Sequence, residues 1–109
     1  MRTYFGIENG ELVQKIVDKL HISIDLEKSE NTTCDKLFNE FVKPFNLNEA
    51  PIFRVKLACI ENNKVMLLLD IHHIINDGAS LDILLNDLCK LYSGKTLEFN
   101  EYDYKDYSI

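Results

Sequence analysis

The 109-residue sequence has no apolar stretch of the roughly 18 residues that a membrane-spanning helix needs. Its N-terminus also lacks the charged and then apolar pattern of a secretory signal. Lysine and arginine form no cluster, and 12 basic against 18 acidic residues leave a net charge of −6. These absences argue against a membrane protein and against binding of nucleic acid or anionic membranes through positive charge. We therefore expect a cytoplasmic protein.

Cysteine is scarce and odd in number. Cys34, Cys59 and Cys89 are widely spaced within apolar patterns, which predicts three reduced thiols in the core rather than a disulfide framework or a zinc site. Repeats, low-complexity tracts and linkers are also absent. With 46% apolar residues, six phenylalanines and five tyrosines, the chain can form one small domain with a single core.

The most informative stretch is 65–78, which reads VMLLLDIHHIINDG. Its first five residues form an apolar run too short for a buried helix, which predicts a central strand covered on both faces. The strand would carry His72 and His73 to its C-terminal end. Since successive side chains of a strand point to opposite faces, we expect one working and one packed histidine, or two structural ones. A tight turn at 76–78 would then lead into a helix.

The other elements follow from local patterns. The second arm of the first hairpin would also suit a helix, but the Asn-Gly turn favours a strand. The first predicted elements are a hairpin of 2–7 and 11–19 around Asn9-Gly10, a half-buried strand at 21–26 and a solvated loop at 27–31. A helix is predicted from Thr32 or Thr33 to Val42, ending before Pro44, and its buried residues would be Leu37, Phe38, Phe41 and Val42. A strand at 53–59 would join the central strand through 61–63, and the last helix would run from a Ser80 cap to Gly94.

The stretch from His72 to Gly78 resembles the HHxxxDG motif of the condensation domains of non-ribosomal peptide synthetases. The same motif occurs in the wider acyltransferase superfamily, which includes chloramphenicol acetyltransferase and the dihydrolipoamide acyltransferases. Further segments also resemble the condensation domains. They are 2–5 for the end of RHExLRTxF, Val13-Gln14 in the hairpin that follows, 44–55 for PFDLxxxPLFRV with Asn46 in place of its aspartate, and 102–107 for QYxDYAxW short of its tryptophan.

The resemblance spans nearly the whole chain and implies an α/β (α+β) fold with a mixed, mainly antiparallel sheet and packed helices. Residues 1–109 would be a single partial domain, the middle of the N-terminal lobe of a condensation domain, and would form a chloramphenicol-acetyltransferase-like half-domain. The family's active site is a tunnel between two lobes, so we expect the chain alone to lack condensation activity. The missing C-terminal lobe and the missing opening strand and helix of the first lobe should leave an exposed sheet edge and apolar surface, and we expect dimerisation or domain swapping as a result.

The resemblance also implies the chemistry. In the family, the α-amine of one carrier-bound aminoacyl group attacks the thioester of a donor on another carrier protein. His73 would be the catalytic residue that enters the tunnel, while His72 packs on the other face. Acting as a base or orienting the amine requires a neutral imidazole whose tautomer is fixed at its other nitrogen. No cofactor would bind directly, because the phosphopantetheine arm belongs to the peptidyl carrier proteins, which would be partners together with adjacent synthetase domains.

The other motif residues are expected to be structural. In the family the motif aspartate, here Asp77, pairs with an arginine and holds the loop. Arg2 and Arg54 are the only arginines, and we favour Arg2 because it belongs to the family's arginine motif. Gly78 would supply a positive φ or a close backbone approach, or it is simply a turn glycine.

Several alternatives stay open. An epimerisation domain shares the motif and would use His73 to move a Cα proton, and a non-catalytic docking remnant for carrier proteins would keep the motif only for its fold. A metal site of His72, His73 and Asp77 is disfavoured because adjacent strand histidines diverge. A serine or cysteine nucleophile lacks a recognisable elbow.

Overall fold

A computed structural model describes residues 1–24, 26–28, 32–61, 63–98, 102 and 106. The chain forms two compact units, Met1–Asn76 and Asp77–Ile109. The first unit contains β1 (Thr3–Glu8), β2 (Glu11–Ile16), β3 (Leu26–Lys28), α1 (Cys34–Phe41), β4 (Phe53–Ile60), β5 (Lys64–Ile71) and a short 3-10 turn (His73–Ile75). The second unit contains α2 (Gly78–Tyr92). This composition confirms the expected α+β class.

Strands β1 and β2 form an antiparallel hairpin, as predicted, so the helical alternative for the second arm is wrong. The turn works because Asn9 and Gly10 both adopt positive φ, 52° and 83°, which asparagine and glycine tolerate best. Lys15 on β2 lies 2.6 Å from Glu8 on β1. The hydrogen bond to Glu8 raises the pKa of Lys15.

The second sheet has the strand order β3-β4-β5. The pairing of β4 with β5 is antiparallel, with Phe53 opposite Ile71, and confirms the predicted hairpin. Strand β3 is parallel to β4, so the sheet is mixed as expected. The predicted strand at 21–26 is wrong for 21–24, which pair with no strand, whereas Leu26 begins β3, which extends into the predicted loop. The position of β3 depends on its partner, the Leu57–Cys59 segment of β4, rather than on its own alternation.

Strand β5 is not the central strand that its apolar run predicts. Among the described residues it pairs only with β4, which occupies the middle of the sheet. Val65 and Leu67 on one face of β5 are 56% and 41% exposed. A continuous apolar run shows that both faces of a strand are suited to burial. It does not show which other segment or chain would bury them.

The core of the first unit lies between α1 and the β4–β5 hairpin. It consists of Leu37, Ala58 and Leu68, with Phe41, Ile60 and Met66 packed against them. The helix begins as predicted, because the Thr33 side chain accepts a hydrogen bond from the Lys36 N–H at 3.3 Å, and it ends before Pro44. Its buried stripe is narrower than predicted, since Phe38 is 55% exposed and Val42 is 42% exposed.

Helix α2 ends where the sequence predicts. Gly94 has a φ of 80°, and its N–H donates to Leu91 O while Lys95 N–H donates to Lys90 O, both at 3.0 Å. These two bonds form a Schellman motif, which needs the left-handed conformation that glycine adopts without steric cost. The described residues contain no helix that is long and apolar enough to cross a membrane.

The cysteines are free, but only one is even partly buried. Cys59 is half-buried on β4, whereas Cys34 and Cys89 are exposed on the two helices, so the prediction of three core thiols is wrong for these two. Residues 29–31 of the predicted loop at 27–31 and most of the tyrosine-rich segment at 102–107 lie outside the described residues.

Candidate active site

The two histidines follow directly after the end of β5. The His72 N–H donates to Ile52 O at 3.1 Å, which ties the segment to the start of β4. The chain then leaves the strand in a 3-10 turn, in which Ile75 N–H donates to His72 O at 3.1 Å. The histidines therefore diverge because of this turn, and not because of strand alternation as the sequence predicted.

His72 is held inside its own unit. Its Nδ1 accepts a hydrogen bond from the Ile74 N–H at 3.1 Å. Its ring meets the ring of Phe45 edge to face, with the centroids 6.0 Å apart and the planes at 78°. Because a backbone N–H can only donate, Nδ1 carries no proton, and the neutral ring has its proton on Nε2. This half-buried ring matches the packed histidine expected of the pair.

His73 is exposed and has the opposite tautomer. Its Nδ1 lies 2.5 Å from the carbonyl oxygen of Asn76. A carbonyl oxygen can only accept, so Nδ1 carries the proton and donates it. In the neutral ring the lone pair is then on Nε2, which is the atom that can accept a proton from an external group. The required tautomer is therefore fixed by a backbone carbonyl, which no side chain in the motif could have indicated.

A cluster around Arg54 supports the His72 ring and was missed by sequence reasoning. The Arg54 guanidinium carbon lies 3.9 Å from the centroid of the Phe45 ring, and Nε lies 3.2 Å from Asp70 Oδ2. Arg54 also donates to the carbonyl oxygens of Lys43 and Pro44. The pairing with Asp70 could have been found, because the predicted turn at 61–63 already places residue 54 opposite residue 70.

The Asp70 contact is an ion pair without an aligned hydrogen bond. Asp70 Oδ2 is buried and accepts no hydrogen bond within the described part of the chain. The Arg54 cation at 3.2 Å supplies the compensating charge instead. Arg54 is thus fully engaged by a carboxylate, an aromatic face and two carbonyl groups.

In the second unit, Asp77 is the N-cap of α2. Its Oδ1 accepts from the Ser80 N–H at 2.8 Å, and the Leu81 N–H donates to its carbonyl oxygen at 2.9 Å. The prediction that Ser80 caps this helix is therefore wrong, and the cap lies three residues earlier. Both residue types suit a cap, and the backbone conformation selects between them. The negative charge of the carboxylate also interacts favourably with the partial positive charge at the helix N-terminus.

Gly78 and Arg2 complete the predicted set. Gly78 is the first residue of α2, and a Cβ built there meets no atom within 4 Å. Its φ is not positive, unlike those of Gly10 and Gly94, so neither predicted need for glycine is found. In the first unit, Arg2 Nη1 donates to the carbonyl oxygens of Val17 and Asp18 at 3.2 and 3.1 Å.

Only part of the predicted set can serve directly as a reactive group. His73 offers an accessible ring nitrogen, whereas His72 uses Nδ1 within the backbone turn. In the described ranges, no three His, Cys, Asp or Glu side chains are placed to hold a metal ion. The arrangement can accept a proton, or a hydrogen bond, at a single exposed imidazole nitrogen.

Known proteins and one protein-family model are similar to this chain over its whole length. The family model for the condensation domain covers residues 1–109. Surfactin synthase subunit 2 of Bacillus subtilis (strain 168) is 39% identical over 109 residues, which are 100% of this chain and 3% of the relative. Bacitracin synthase 3 of Bacillus licheniformis is 40% identical over 108 residues, which are 99% of this chain and 2% of that protein. The chain thus spans a few per cent of these relatives.

Two solved structures share the fold. The SgcC5 protein of Streptomyces globisporus superposes with a TM-score of 0.75 at 18% identity, over 97% of this chain and 27% of that one. The epimerization domain from the third module of tyrocidine synthetase B superposes with a TM-score of 0.76 at 20% identity, over 98% of this chain and 27% of that one. Together with the family match over all 109 residues, they confirm the expected fold, and the chain belongs to the condensation domain family of non-ribosomal peptide synthetases.

Proposed function

We propose that this chain supplies the histidine side of an active site that joins two carrier-bound aminoacyl or peptidyl groups through an amide bond. The observation that carries the proposal is the contact between His73 Nδ1 and the Asn76 carbonyl oxygen, which leaves Nε2 as the acceptor on an exposed ring. The relatives named above are synthases, and the family match supports the same chemistry for this chain.

His73 would act on the attacking amine. The amine nitrogen forms a bond to the thioester carbonyl carbon, the carbon–sulfur bond breaks, and the sulfur leaves as the thiol of the donor's phosphopantetheine arm. The amine proton passes to His73 Nε2 and from there to the departing sulfur. An α-amine has a pKa of about 8, so part of it is already neutral near pH 7 and the base has a modest task. Orienting the amine lone pair would contribute as well.

The remaining motif residues would hold this histidine in place. We propose that Asp77 pairs with Arg2, as the family resemblance implies. The engagement of Arg54 by Asp70, Phe45 and two carbonyl groups supports Arg2 as the arginine of choice. Peptidyl carrier proteins and adjacent synthetase domains would be the partners, and a second lobe would close the tunnel.

The test is His73→Ala in a complete condensation domain that contains this segment. We expect amide formation between two loaded carrier proteins to fall about 100-fold or more, because a positioned base or orienting group is lost. The reaction is followed by mass spectrometry of the carrier-bound product. His21→Ala is the matched control, since His21 is another exposed histidine of the same unit, and it should retain full activity.

The same variants separate the alternatives. If His73→Ala forms amide at the rate of the unchanged domain, the catalytic role of His73 fails. If the unchanged domain neither forms amide nor inverts a Cα, a non-catalytic docking remnant is favoured. If the unchanged domain forms no amide but inverts the Cα of a loaded aminoacyl group, and His73→Ala abolishes that inversion, the domain is an epimerisation domain.

A further inference from the structure

A stack of three side chains leads from the sheet to the histidine pair. The Arg54 guanidinium carbon lies 3.9 Å from the centroid of the Phe45 ring. The Phe45 ring in turn meets the His72 ring edge to face, with the two centroids 6.0 Å apart. Asp70 and the carbonyl oxygens of Lys43 and Pro44 fix the guanidinium from the other sides. All of these residues belong to the first unit.

His72 passes this constraint on to the turn. Its Nδ1 binds the Ile74 N–H, and its carbonyl oxygen accepts from the Ile75 N–H, so the orientation of its ring and the shape of the 3-10 turn depend on each other. The turn ends at Asn76, whose carbonyl oxygen selects the tautomer of His73. A change in the His72 ring therefore moves the one acceptor that fixes the reactive nitrogen.

We propose that Arg54 and Phe45 are positioning residues for His73, acting through the ring of His72. Phe45 holds the His72 ring in the orientation in which Nδ1 faces the Ile74 N–H, and Arg54 holds Phe45. The planar guanidinium matters here as well as its charge, because a lysine ammonium cannot lie flat over the ring while also reaching two carbonyl groups and a carboxylate. The catalytic part of this inference rests on the proposed function of His73.

The substitutions are Phe45→Leu and Arg54→Lys. Phe45→Leu keeps an apolar side chain but removes the ring. Arg54→Lys keeps a cation opposite the buried Asp70 oxygen, so it avoids an uncompensated charge while removing the flat contact. Lys56→Met is the matched control, because Lys56 lies on the same face of β4 as Arg54 and pairs with Glu27 instead of Asp70.

The first readout is the proton position on each ring, from long-range proton–nitrogen NMR correlations in the 109-residue chain. The chain has three histidines, so the spectrum is simple and His21 serves as an internal reference. We expect His72 protonated at Nε2 and His73 at Nδ1 in the unchanged chain and in Lys56→Met. Phe45→Leu and Arg54→Lys should give tautomer mixtures at both His72 and His73, and Phe45→Tyr should restore the single forms.

The second readout is kinetic, in a complete condensation domain that contains this segment. Phe45→Leu and Arg54→Lys should lower kcat about 10-fold with KM within about twofold, because a misplaced base slows chemistry without weakening carrier binding. Lys56→Met should leave both constants unchanged. If Phe45→Leu does not fold, Arg54→Lys alone decides the outcome.

Unchanged nitrogen signals of His72 and His73 in the folded variants would overturn the inference, as would equal changes in Lys56→Met. This result is distinguishable from failure of the proposed function. If His73→Ala stays active while the tautomers respond as expected, the coupling of the rings stands and only its catalytic purpose is removed. If His73→Ala is inactive while the tautomers ignore Phe45 and Arg54, only the positioning role is removed.

Discussion

At the scale of single residues, two adjacent imidazoles do different work because their backbone partners differ. His72 Nδ1 faces a donor, the Ile74 N–H, and His73 Nδ1 faces an acceptor, the Asn76 carbonyl oxygen. The sequence predicts one working and one packed histidine, or two structural ones. It could not predict the tautomers, because both partners are main-chain groups whose positions exist only once the turn has formed.

Asp77 allows a prediction at the same scale. Asp77→Ala should lower the free energy of unfolding by about 1 kcal/mol, because the Ser80 N–H loses its acceptor at the N-terminus of α2. Asp77→Asn should keep this cap while removing the charge. The measurement is urea denaturation of the complete condensation domain, and Asp82→Ala, at an exposed position of the same helix, is the control and should change stability by less than about 0.5 kcal/mol.

The proposed pairing with Arg2 adds a second term to this experiment. A cycle of Asp77→Asn, Arg2→Met and the double variant should give a coupling of at least about 0.5 kcal/mol, since each single change removes the same ion pair. Additive single effects would contradict the pairing and leave Asp77 with its capping role alone.

At the scale of elements, the sequence predicts helix ends and turns correctly where residues of the same turn determine them. It fails where pairing with a distant strand determines the position of an element. Thr33 and Gly94 mark their helix ends correctly, because a side-chain acceptor and a left-handed glycine act within one turn. The Asn9-Gly10 turn likewise selects its hairpin. Strand β3 was misplaced because its position is set by a parallel pairing with β4, about thirty residues away. Ser80 suits a cap by residue type, but the cap is Asp77, whose extended backbone conformation the sequence does not show.

Strand β5 carries the prediction that belongs to this scale. Its outer edge has no strand partner among the described residues, and Val65 and Leu67 expose apolar surface beside it. An unprotected edge with an apolar face favours pairing with another chain, so we expect the 109-residue chain to dimerise at tens of micromolar or to swap domains. Sedimentation velocity over a concentration series measures this association.

Positive charge on β5 should abolish the association of the 109-residue chain. Val65→Lys with Leu67→Lys should give a monomer at every concentration, because lysines at an edge oppose pairing and remove apolar contact area. Leu12→Lys is the matched control, since Leu12 is 72% exposed on the other sheet, and it should leave the association intact. A concentration-independent monomer in the unchanged chain would show that the edge is protected in another way.

At the scale of the whole molecule, we expect this chain to lack part of the fold that the proposed reaction needs. It matches 27% of each of the two solved structures that share its fold. The residues proposed to position His73 nevertheless lie in one compact unit, which contains the stack of Arg54, Phe45 and His72 and the Asn76 carbonyl. We therefore expect the proposed catalytic histidine to be positioned within this segment even where the rest of the active site is absent.

This separation gives the last prediction. The purified 109-residue chain should form no amide above background from two loaded carrier proteins, although His73 keeps its tautomer. A base contributes only when the amine and the thioester are held together, and the expected tunnel needs a second lobe to bind both arms. Product is measured by mass spectrometry beside a complete condensation domain that contains the segment. Turnover by the isolated chain that disappears in His73→Ala would contradict the need for a second lobe, because it would show that one exposed imidazole can gather both substrates.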